Sequence, residues 1–353
     1  MRSALGMVLL GIAAVAVGGC TTGENNGPGG AATAKKLEAG GSTFINPMMD
    51  EWARAYVKQK GVRVDYAGGG SGKGVTQMIQ GTYDFGCTDA PLNAKQLAEA
   101  RGKGGEVVHV PLVLGAVVPG YNLKGLGAPL KFTGPVLADI FLGKVKKWND
   151  PELREINEGV ALPDQDIVVV HRAEPSGTTF LWTNYLTQAS PAWKEEVGSG
   201  TEVKWKVGNG QKGTDGVTAL VAATPGAVGY LEVAYALANK DKVQFGSVRN
   251  RRGKFVRGDD PAAVSAAAEG VAIPDDLCLT LTDSDNANAY PIVGCTWAVL
   301  YRKQKEKGRA VVDFLRWAVH DGQKVVTRPD YATLPEQLVG RIDQALESVQ
   351  YEK

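Results

Sequence analysis

The chain has 353 residues, which is enough for two domains with well-formed cores. Hydrophobic residues make up 44% of it and charged residues 22%, proportions that are ordinary for a soluble globular protein. The formal net charge of +1 argues against nucleic-acid binding, which normally needs a basic face. An anionic ligand would therefore be held by local dipoles rather than by the overall charge.

The N-terminal segment has the features of an export signal. Arg2 precedes an uncharged run over 4–17, which is too short to span a membrane and suits the apolar part of a signal peptide. Small residues directly before Cys20 resemble the bacterial lipobox, which implies a signal peptide over 1–19 and a lipid on Cys20. The alternative is an ordinary secretory signal in which this cysteine occurs by chance.

Residues 20–36 are predicted to form a flexible tether, because Gly, Asn, Thr and Ala dominate them and little can be buried. Export would also allow disulfide bonds. Besides Cys20 there are three cysteines, so at most one bond can form among them within the chain. We suggest Cys278 with Cys295, which leaves Cys87 free, although the sequence gives no distance between them.

A glycine-rich loop over 68–74 is the centre of the predicted architecture. It contains one hydroxyl, on Ser71, and leads into an apolar stripe at helical spacing over 75–79. A helix that starts there would present free N–H groups and the positive end of its dipole to an anion. The loop is not a nucleotide P-loop, because Gly74 stands where that motif needs a magnesium-binding hydroxyl. A flexible turn before a surface helix is the alternative.

Two other turns place polar groups near predicted helix starts. Thr43 follows a short strand, and its hydroxyl can bind a ligand or cap the next helix. Asp89 precedes a helix that begins with an Asn-x-x-Gln pattern, and turn formation is its ordinary role. Neither residue identifies a ligand by itself.

A predicted strand over 167–170 delivers a second turn that is dense in donors. Its continuous β-branched residues indicate burial on both faces. Arg172 offers a planar fork for an oxyanion, or it pairs with Glu174. Residues 176–178 offer hydroxyls and N–H groups at a helix start. His171 is interpreted as a packed residue rather than a metal ligand, because no second histidine is near it in sequence, and no metal site is predicted.

Strands that alternate with helices indicate an α/β fold. The apolar segments over 107–118 and 292–301 are predicted to be buried strands, and both are candidates for crossings between two domains. Helices are predicted over 310–320 and 336–349 at the end of the chain.

Several motifs together resemble the PstS-type phosphate-binding proteins of phosphate ABC transporters. Each motif is weak alone, but the ordered set is specific, and the likeness extends over roughly residues 37–340. In chain order the motifs are Gly-Gly-Ser-Thr-Phe at 40–44, Gly-Ser-Gly at 70–72, Asp-Phe-Gly-Cys-Thr-Asp-Ala-Pro at 84–91, Leu-Gly-Lys-Val-Lys-Lys-Trp at 142–148, Arg-Ala-Glu-Pro-Ser-Gly-Thr at 172–178, Gly-Ala-Val-Gly-Tyr at 226–230 and Asp-Tyr-Ala-Thr-Leu-Pro at 330–335.

The resemblance implies a type II periplasmic-binding-protein fold. Two α/β lobes, each with a mostly parallel sheet flanked by helices, would be joined by two hinge crossings and would bury phosphate between them. One lobe would comprise 37–113 and 292–353, and the other 114–291. The implied partners are inorganic phosphate and the permease and ATPase subunits of a phosphate ABC transporter. The protein would be an exported monomer, lipid-anchored to a bacterial membrane at the cell surface or in the periplasm, with no cofactor and no catalytic residue.

Position by position, the resemblance assigns a set of residues to the phosphate. They are Thr43, Phe44, Ser71, Asp89, Arg172, Ser176, Gly177 and Thr178, with Gly70, Gly72 and Glu174 in support. Some positions depart from the commonest family pattern. Gly72 and Lys73 replace small residues there. Glu174 replaces an aspartate and Pro175 a glycine, so the pairing of Glu174 with Arg172 would have a different reach.

Asp89 would recognise the hydrogen of the ligand. The second pKa of free phosphate, about 7, lies near the ~6 of phosphoesters, so phosphate keeps a proton at neutral pH that an ionised carboxylate can accept. Sulfate has none, and two acceptors would then face each other in a buried site. Such a mismatch can reject an analogue by roughly 10⁴-fold or more. We therefore expect tight binding of phosphate and not of sulfate.

Two alternatives stay open on the sequence. In a phosphate-releasing hydrolase, Ser71 or Ser176 would be the nucleophile, but the sequence has no Gly-x-Ser-x-Gly elbow, and its three histidines offer no sequence-local base. A binding protein for another tetrahedral oxyanion would use the same donors, and a panel of ligands would separate it.

Overall fold

The computed structural model describes residues 36–305, 307–325, 328 and 330–352. All of them belong to one unit of the chain, Lys35–Lys353. The predicted signal peptide, the predicted lipid site at Cys20 and all but the last residue of the predicted tether lie outside the described residues.

Most strands of this part of the chain are short, and two are long. In chain order they are β1 (Lys36–Gly41), β2 (Arg63–Gly68), β3 (Phe85–Thr88), β4 (Val107–Tyr121), β5 (Lys131–Phe132), β6 (Val168–Arg172), β7 (Asn209–Gln211), β8 (Ala227–Glu232), β9 (Gln244–Phe245), β10 (Ser247–Arg249), β11 (Phe255–Val256), β12 (Val293–Tyr301), β13 (Lys303–Gln304), β14 (Tyr331–Ala332) and β15 (Gln350–Tyr351).

The helices alternate with the strands over most of this sequence. They are α1 (Asn46–Lys60), α2 (Ser71–Ile79), α3 (Ala94–Lys103), α4 (Gly134–Phe141), α5 (Pro151–Ile156), α6 (Gly177–Ala189), α7 (Pro191–Glu196), α8 (Gly213–Ala223), α9 (Val233–Ala238), α10 (Pro261–Ala266), α11 (Gly308–Val319), α12 (Asp321–Val325) and α13 (Glu336–Glu347).

The main sheet has two groups of parallel strands that meet through β4. Its order is β2-β1-β3-β12-β4-β8-β6-β7, with β14 and β9 also paired to β4. In the first group, β1 runs parallel to β2 and β3. In the second, β6 runs parallel to β7 and β8. This arrangement confirms the predicted α/β class with two lobes.

Strand β4 changes its partner midway along its length. Residues 107–116 pair with β12 in antiparallel register, and residues 117–121 pair with β8. Every β4 residue after Val107 is buried, because partners or packed helices cover the strand throughout. The predicted strand over 107–118 therefore exists and continues to Tyr121. The exact lobe boundaries proposed from the sequence stay a prediction.

The ends of several elements differ from the sequence prediction. The two helices predicted near the end of the chain are α11 and α13, and they end earlier than predicted, at Val319 and Glu347. Helix α1 begins at Asn46, so Thr43 lies in the turn before it, and no side chain caps this helix. Pro47 sits in its first turn, where its missing N–H costs no hydrogen bond.

The suggested disulfide between Cys278 and Cys295 is not formed in the structure. All three described cysteines, including Cys87, are free thiols. Each of the two suggested partners contacts a nearby carbonyl instead. The sulfur of Cys278 lies 3.6 Å from the Asp276 oxygen, and that of Cys295 lies 3.5 Å from the Thr296 oxygen. Each sulfur atom is thus directed towards a carbonyl close to it in sequence rather than towards the other cysteine. The spacing of the cysteines in the sequence could not reveal this geometry.

Within the described ranges, no helix has the length and apolar character needed to cross a membrane.

Candidate anion-binding site

Asp89 lies directly after strand β3 and is only 1% exposed. Three hydroxyls from separate parts of the chain donate to its carboxylate. Ser42 reaches Oδ1 at 2.6 Å and Oδ2 at 2.7 Å, and Thr296 reaches Oδ1 at 2.6 Å. Ser71 reaches Oδ2 at 3.3 Å. We call Asp89, Ser42, Ser71 and Thr296 the acid cluster.

The electrostatics of the acid cluster set Asp89 apart from an ordinary aspartate. Burial raises its pKa from 3.8 to about 7, although the hydrogen bonds from Ser42 and Thr296 oppose that rise. The carboxyl group therefore changes its charge close to neutral pH. A group of this kind, in a cluster of donors, is typical of a functional site.

Strand β12 delivers Thr296 to the acid cluster through an irregularity in its pairing. The register with β4 shifts between Thr296 and Trp297. Such a bulge re-aims side chains and often lies next to a functional site. Here the Thr296 hydroxyl points at Asp89 although its neighbours along the strand are buried apolar residues.

Ser71 is the first residue of helix α2, as the glycine-rich loop predicted. The preceding Gly70 has a φ of +90°, a conformation that favours glycine. The Ser71 oxygen also accepts two backbone N–H groups, from Asp89 at 3.2 Å and from Gly177 at 3.0 Å. Gly177 is the first residue of helix α6, so this one hydroxyl joins the starts of two helices from different parts of the sheet.

The absence of a side chain at Gly177 permits this approach. A Cβ placed there would lie 2.5 Å from Cβ of Asp89 and 2.6 Å from Oγ of Ser71. A hydrogen bond also links the first turn of helix α2 to the loop before helix α6. The N–H of Gly72 donates to the Pro175 carbonyl at 3.2 Å. The two predicted helix-start turns therefore face each other.

Arg172 ends strand β6 and is 4% exposed. Its Nε donates to Oε1 of Glu174 at 2.8 Å, and its Nη2 contacts the same oxygen. Its Nη1 donates to the hydroxyls of Thr178 and Thr214, both at 3.2 Å. We call Arg172, Glu174, Thr178 and Thr214 the guanidinium cluster.

Arg172 stays charged in this environment. Burial alone would lower its pKa, but the negative charges of Glu174 and Glu232 raise the pKa above its ordinary value. The glutamate that replaces the usual aspartate thus does reach Arg172. Glu174 also accepts the N–H of Gly213 at 3.0 Å, which ties it to the start of helix α8.

The turn over 42–44 lies beside both clusters. The Phe44 N–H donates to the Ser42 hydroxyl at 3.0 Å, and the Thr43 and Thr214 hydroxyls lie 3.0 Å apart. Tyrosine hydroxyls hold all three carbonyls of this turn. They are Tyr66 to Ser42 at 2.7 Å, Tyr235 to Thr43 at 3.0 Å and Tyr331 to Phe44 at 2.6 Å.

Ser176 stands apart from the other predicted residues. It is fully buried at the N-cap of helix α6, where its hydroxyl accepts the Thr179 N–H at 3.3 Å. Its own N–H donates to the Thr201 carbonyl at 2.8 Å. The hydrogen bonds of Ser176 therefore serve local structure and run to neither cluster.

Four members of this network were not predicted as site residues. Ser42 lies inside the motif at 40–44, in which the resemblance assigns Thr43 and Phe44 to the ligand but not Ser42. Glu232 comes two residues after another motif and is 1% exposed. Its Oε1 accepts the Thr178 hydroxyl at 2.6 Å. Thr214 and Thr296 carry no local signal, since only the tertiary fold brings them here.

A metal is not indicated by this donor set. In the part of the chain that the structure describes, no group of three His, Cys, Asp or Glu side chains could hold a metal ion. His171 packs its ring on Trp205 with centroids 4.6 Å apart. The chemistry of the site is that of hydroxyls, helix-start N–H groups, one guanidinium and carboxylates, which suits a protonated oxyanion.

The two-lobe α/β fold and a buried set of donors of this kind are typical of a ligand-binding protein. Residues 26–321, well over half of the chain, match the family described as PBP superfamily domain. The chain is therefore a member of this superfamily.

Relatives with similar sequences identify a narrower family within this superfamily. The protein named "Phosphate-binding protein PstS" from Pasteurella multocida is 40% identical over 313 residues, which cover 88% of this chain and 89% of the relative. The protein of the same name from Xylella fastidiosa is 37% identical over 312 residues, covering 87% and 84%. The chain belongs to the PstS family, as the motifs predicted.

A solved structure agrees on the fold. The phosphate-binding protein of Stenotrophomonas maltophilia superimposes with a TM-score of 0.70 at 19% identity, over 89% of this chain and 94% of that one. At this identity the comparison concerns the fold alone, and it confirms the predicted fold class.

Proposed function

We propose that the protein binds inorganic phosphate between its two lobes and delivers it to a phosphate ABC transporter. The observation that carries this proposal is the acid cluster. A buried carboxylate whose pKa is about 7 faces hydroxyl donors and the start of helix α6, and a buried guanidinium lies in the neighbouring cluster. The names of the PstS relatives support the same ligand.

On binding, hydrogen bonds within the two clusters would be replaced by hydrogen bonds to the anion. Within each cluster, the side chains already form hydrogen bonds with one another. A tetrahedral anion would accept hydrogen bonds from Arg172 and from the helix-start N–H groups. Its own O–H group would donate a hydrogen bond to Asp89. Because the donors are already fixed in place, little ordering entropy is lost on binding.

The selectivity follows from the single hydrogen that Asp89 accepts. Phosphate and arsenate can supply it, whereas sulfate and molybdate face the carboxylate with bare oxygens when Asp89 is ionised. A buried acceptor opposite another acceptor is a mismatch that costs affinity, and a site of this kind can discriminate by roughly 10⁴-fold.

The role is binding and not catalysis. Ser71 lies 3.3 Å from a carboxylate oxygen, but its own oxygen accepts two N–H groups, so its lone pairs are occupied and it is a poor nucleophile. Ser176 caps helix α6. Absence of turnover on p-nitrophenyl phosphate by protein that binds phosphate tightly would support this assignment, and turnover would favour a hydrolase.

The cellular setting completes the proposal. Residues 1–19 would direct export, and a lipid on Cys20 would hold a monomer at the bacterial membrane, where it meets the permease. Mass spectrometry of the membrane-extracted protein tests this step. A diacylated N-terminal cysteine supports the anchor, and an unmodified soluble chain that begins elsewhere contradicts it.

Calorimetric titration with phosphate, arsenate, sulfate and molybdate tests the ligand. We expect tight binding of phosphate, weaker but clear binding of arsenate, and weak or no binding of the other two. Comparable affinities for sulfate and phosphate would contradict the proposal, and a preference for molybdate would favour another oxyanion.

A further inference from the structure

Glu232 is a buried carboxylate that the predicted binding chemistry does not use. It ends strand β8, pairs across to Val117 of strand β4 and is 1% exposed. Its Oε1 accepts the Thr178 hydroxyl at 2.6 Å. Its Oε2 is buried and has no hydrogen-bond partner among the described residues. An unpartnered buried carboxylate oxygen is costly, so its presence in an anion site needs a reason.

The contact with Glu232 changes what the Thr178 hydroxyl can offer. A hydroxyl has one hydrogen to donate and two lone pairs. The Thr178 hydroxyl donates its hydrogen bond to Glu232, and one of its lone pairs accepts the Nη1–H group of Arg172 at 3.2 Å. The second lone pair is left. Towards a ligand, this hydroxyl is therefore an acceptor, whereas the sequence predicts a hydroxyl donor within residues 176–178.

We propose that Glu232 is a positioning residue that fixes the direction of the Thr178 hydroxyl and thereby gives the site a second acceptor for a ligand hydrogen. This inference rests on the proposed function. Asp89 would accept the first hydrogen of the anion, and Thr178 would accept the second. The site would then favour dihydrogen phosphate over monohydrogen phosphate and reject sulfate at two oxygens rather than at one.

The surrounding charges are consistent with this role. Burial raises the pKa of Asp89, Tyr235 and Tyr331, and the charge of Glu232 raises each further. At Arg172 burial acts in the lowering direction, and Glu174 and Glu232 act against it. Glu232 thus shares one electrostatic environment with both clusters.

Two substitutions of Glu232 distinguish its effect on the direction of the Thr178 hydroxyl from its contribution to packing. Glu232→Leu removes the acceptor at similar volume, so the Thr178 hydroxyl becomes free to donate to an anion. Glu232→Gln keeps a carbonyl oxygen that can still accept the Thr178 hydrogen. Glu155→Gln, on the exposed surface of helix α5, is the matched control for loss of a carboxylate.

Phosphate and sulfate affinities of these variants, measured across the pH range in which phosphate loses its second proton, test the inference. In the wild type the phosphate affinity should fall as pH rises through that range. Glu232→Leu should flatten this dependence and lower the phosphate-over-sulfate ratio by about tenfold, which corresponds to one hydrogen bond. Glu232→Gln should keep most of both properties, and Glu155→Gln all of them.

An unchanged ratio and pH profile in Glu232→Leu would overturn the role of Glu232 while leaving phosphate binding intact. A wild type that binds no phosphate would reject the proposed function, and this role with it. If Glu232→Leu does not fold, Thr178→Val provides the second test, since it removes the same acceptor. It should flatten the pH profile in the same direction, and an unaltered profile there would equally overturn the inference.

Discussion

The acid cluster holds its buried carboxylate with neutral hydroxyls, whereas the guanidinium cluster holds its buried cation with a carboxylate. The neutral donors do not offset burial, and the pKa of Asp89 rises to about 7. The negative neighbours of Arg172 keep it charged. One region can therefore change its charge near neutral pH and the other cannot. We infer that Asp89 discriminates by the ligand's hydrogen, whereas Arg172 attracts the anion by charge.

The largest effect should come from Asp89→Asn, which removes the carboxylate that discriminates between phosphate and sulfate. The amide keeps the size of the side chain but offers an N–H group that can donate to a bare oxygen. We expect the phosphate-over-sulfate affinity ratio to fall by roughly 10³-fold or more. Calorimetric titration of both anions measures the ratio.

Asp164→Asn is the matched control, because Asp164 is exposed and pairs with Lys147 on the surface. That variant should keep the wild-type ratio. A ratio in Asp89→Asn within a factor of ten of the wild type would remove Asp89 from its assigned role.

Arg172→Met should remove the positive charge that attracts the anion. The substitution removes the charge and leaves the half-buried Glu174 without its cation, and losses of this kind cost about 10² to 10³-fold in affinity. Both anions should lose affinity to a similar extent, because charge attracts them alike. Arg251→Met, which removes an exposed arginine paired with Asp283, is the control and should bind as the wild type does.

A contrasting result would be informative here. If Arg172→Met changed the phosphate-over-sulfate ratio strongly and the phosphate affinity little, the division of labour between the clusters would be wrong.

Gly177→Ala should disturb the contact between the clusters rather than either cluster alone. The added methyl would lie 2.5 Å from Cβ of Asp89, closer than side-chain atoms approach, so helix α6 must move away from Ser71. Overpacking of this size should weaken phosphate binding by about tenfold or more. Gly102→Ala in helix α3 has open space around it and should leave binding unchanged. An affinity equal to the wild type in Gly177→Ala would show that the two helix starts are not held together in the bound protein.

The sequence was informative where the signal is local. The glycine-rich loop predicted a helix start at Ser71, and the β-branched run predicted the strand that carries Arg172, because steric freedom and strand propensity act over a few residues. The same holds for the start of helix α6 at Gly177. These three positions account for much of the predicted site.

The remaining partners depend on contacts that sequence spacing does not encode. Thr296 is 207 positions from Asp89, and Glu232 is 54 positions from Thr178. A threonine in an apolar strand looks like an ordinary core residue until the register shift in strand β12 aims it at a carboxylate. The direction of the Thr178 hydroxyl likewise follows from Glu232 and not from its own neighbours.

The last expected effect concerns the stability of the phosphate-free protein rather than its affinity for a ligand. The pKa of Asp89 is about 7 when folded, against 3.8 for the ordinary group. Between these values the unfolded chain has already lost the proton that the folded chain keeps. The free energy of unfolding should therefore fall as pH rises through this window, by at most about 1.4 kcal/mol per pH unit from this group. Below the window both states are protonated and above it both are ionised, so the contribution is constant there.

Urea unfolding of the phosphate-free protein at several pH values between about 4 and 7 measures this slope. Asp89→Asn should remove it, whereas Asp164→Asn should keep it, since that carboxylate is exposed. Equal slopes in Asp89→Asn and the wild type would mean that the hydroxyls compensate for burial. The acid cluster would then hold a permanent charge, as the guanidinium cluster does, and Asp89 would be an acceptor for the ligand's hydrogen throughout this pH range.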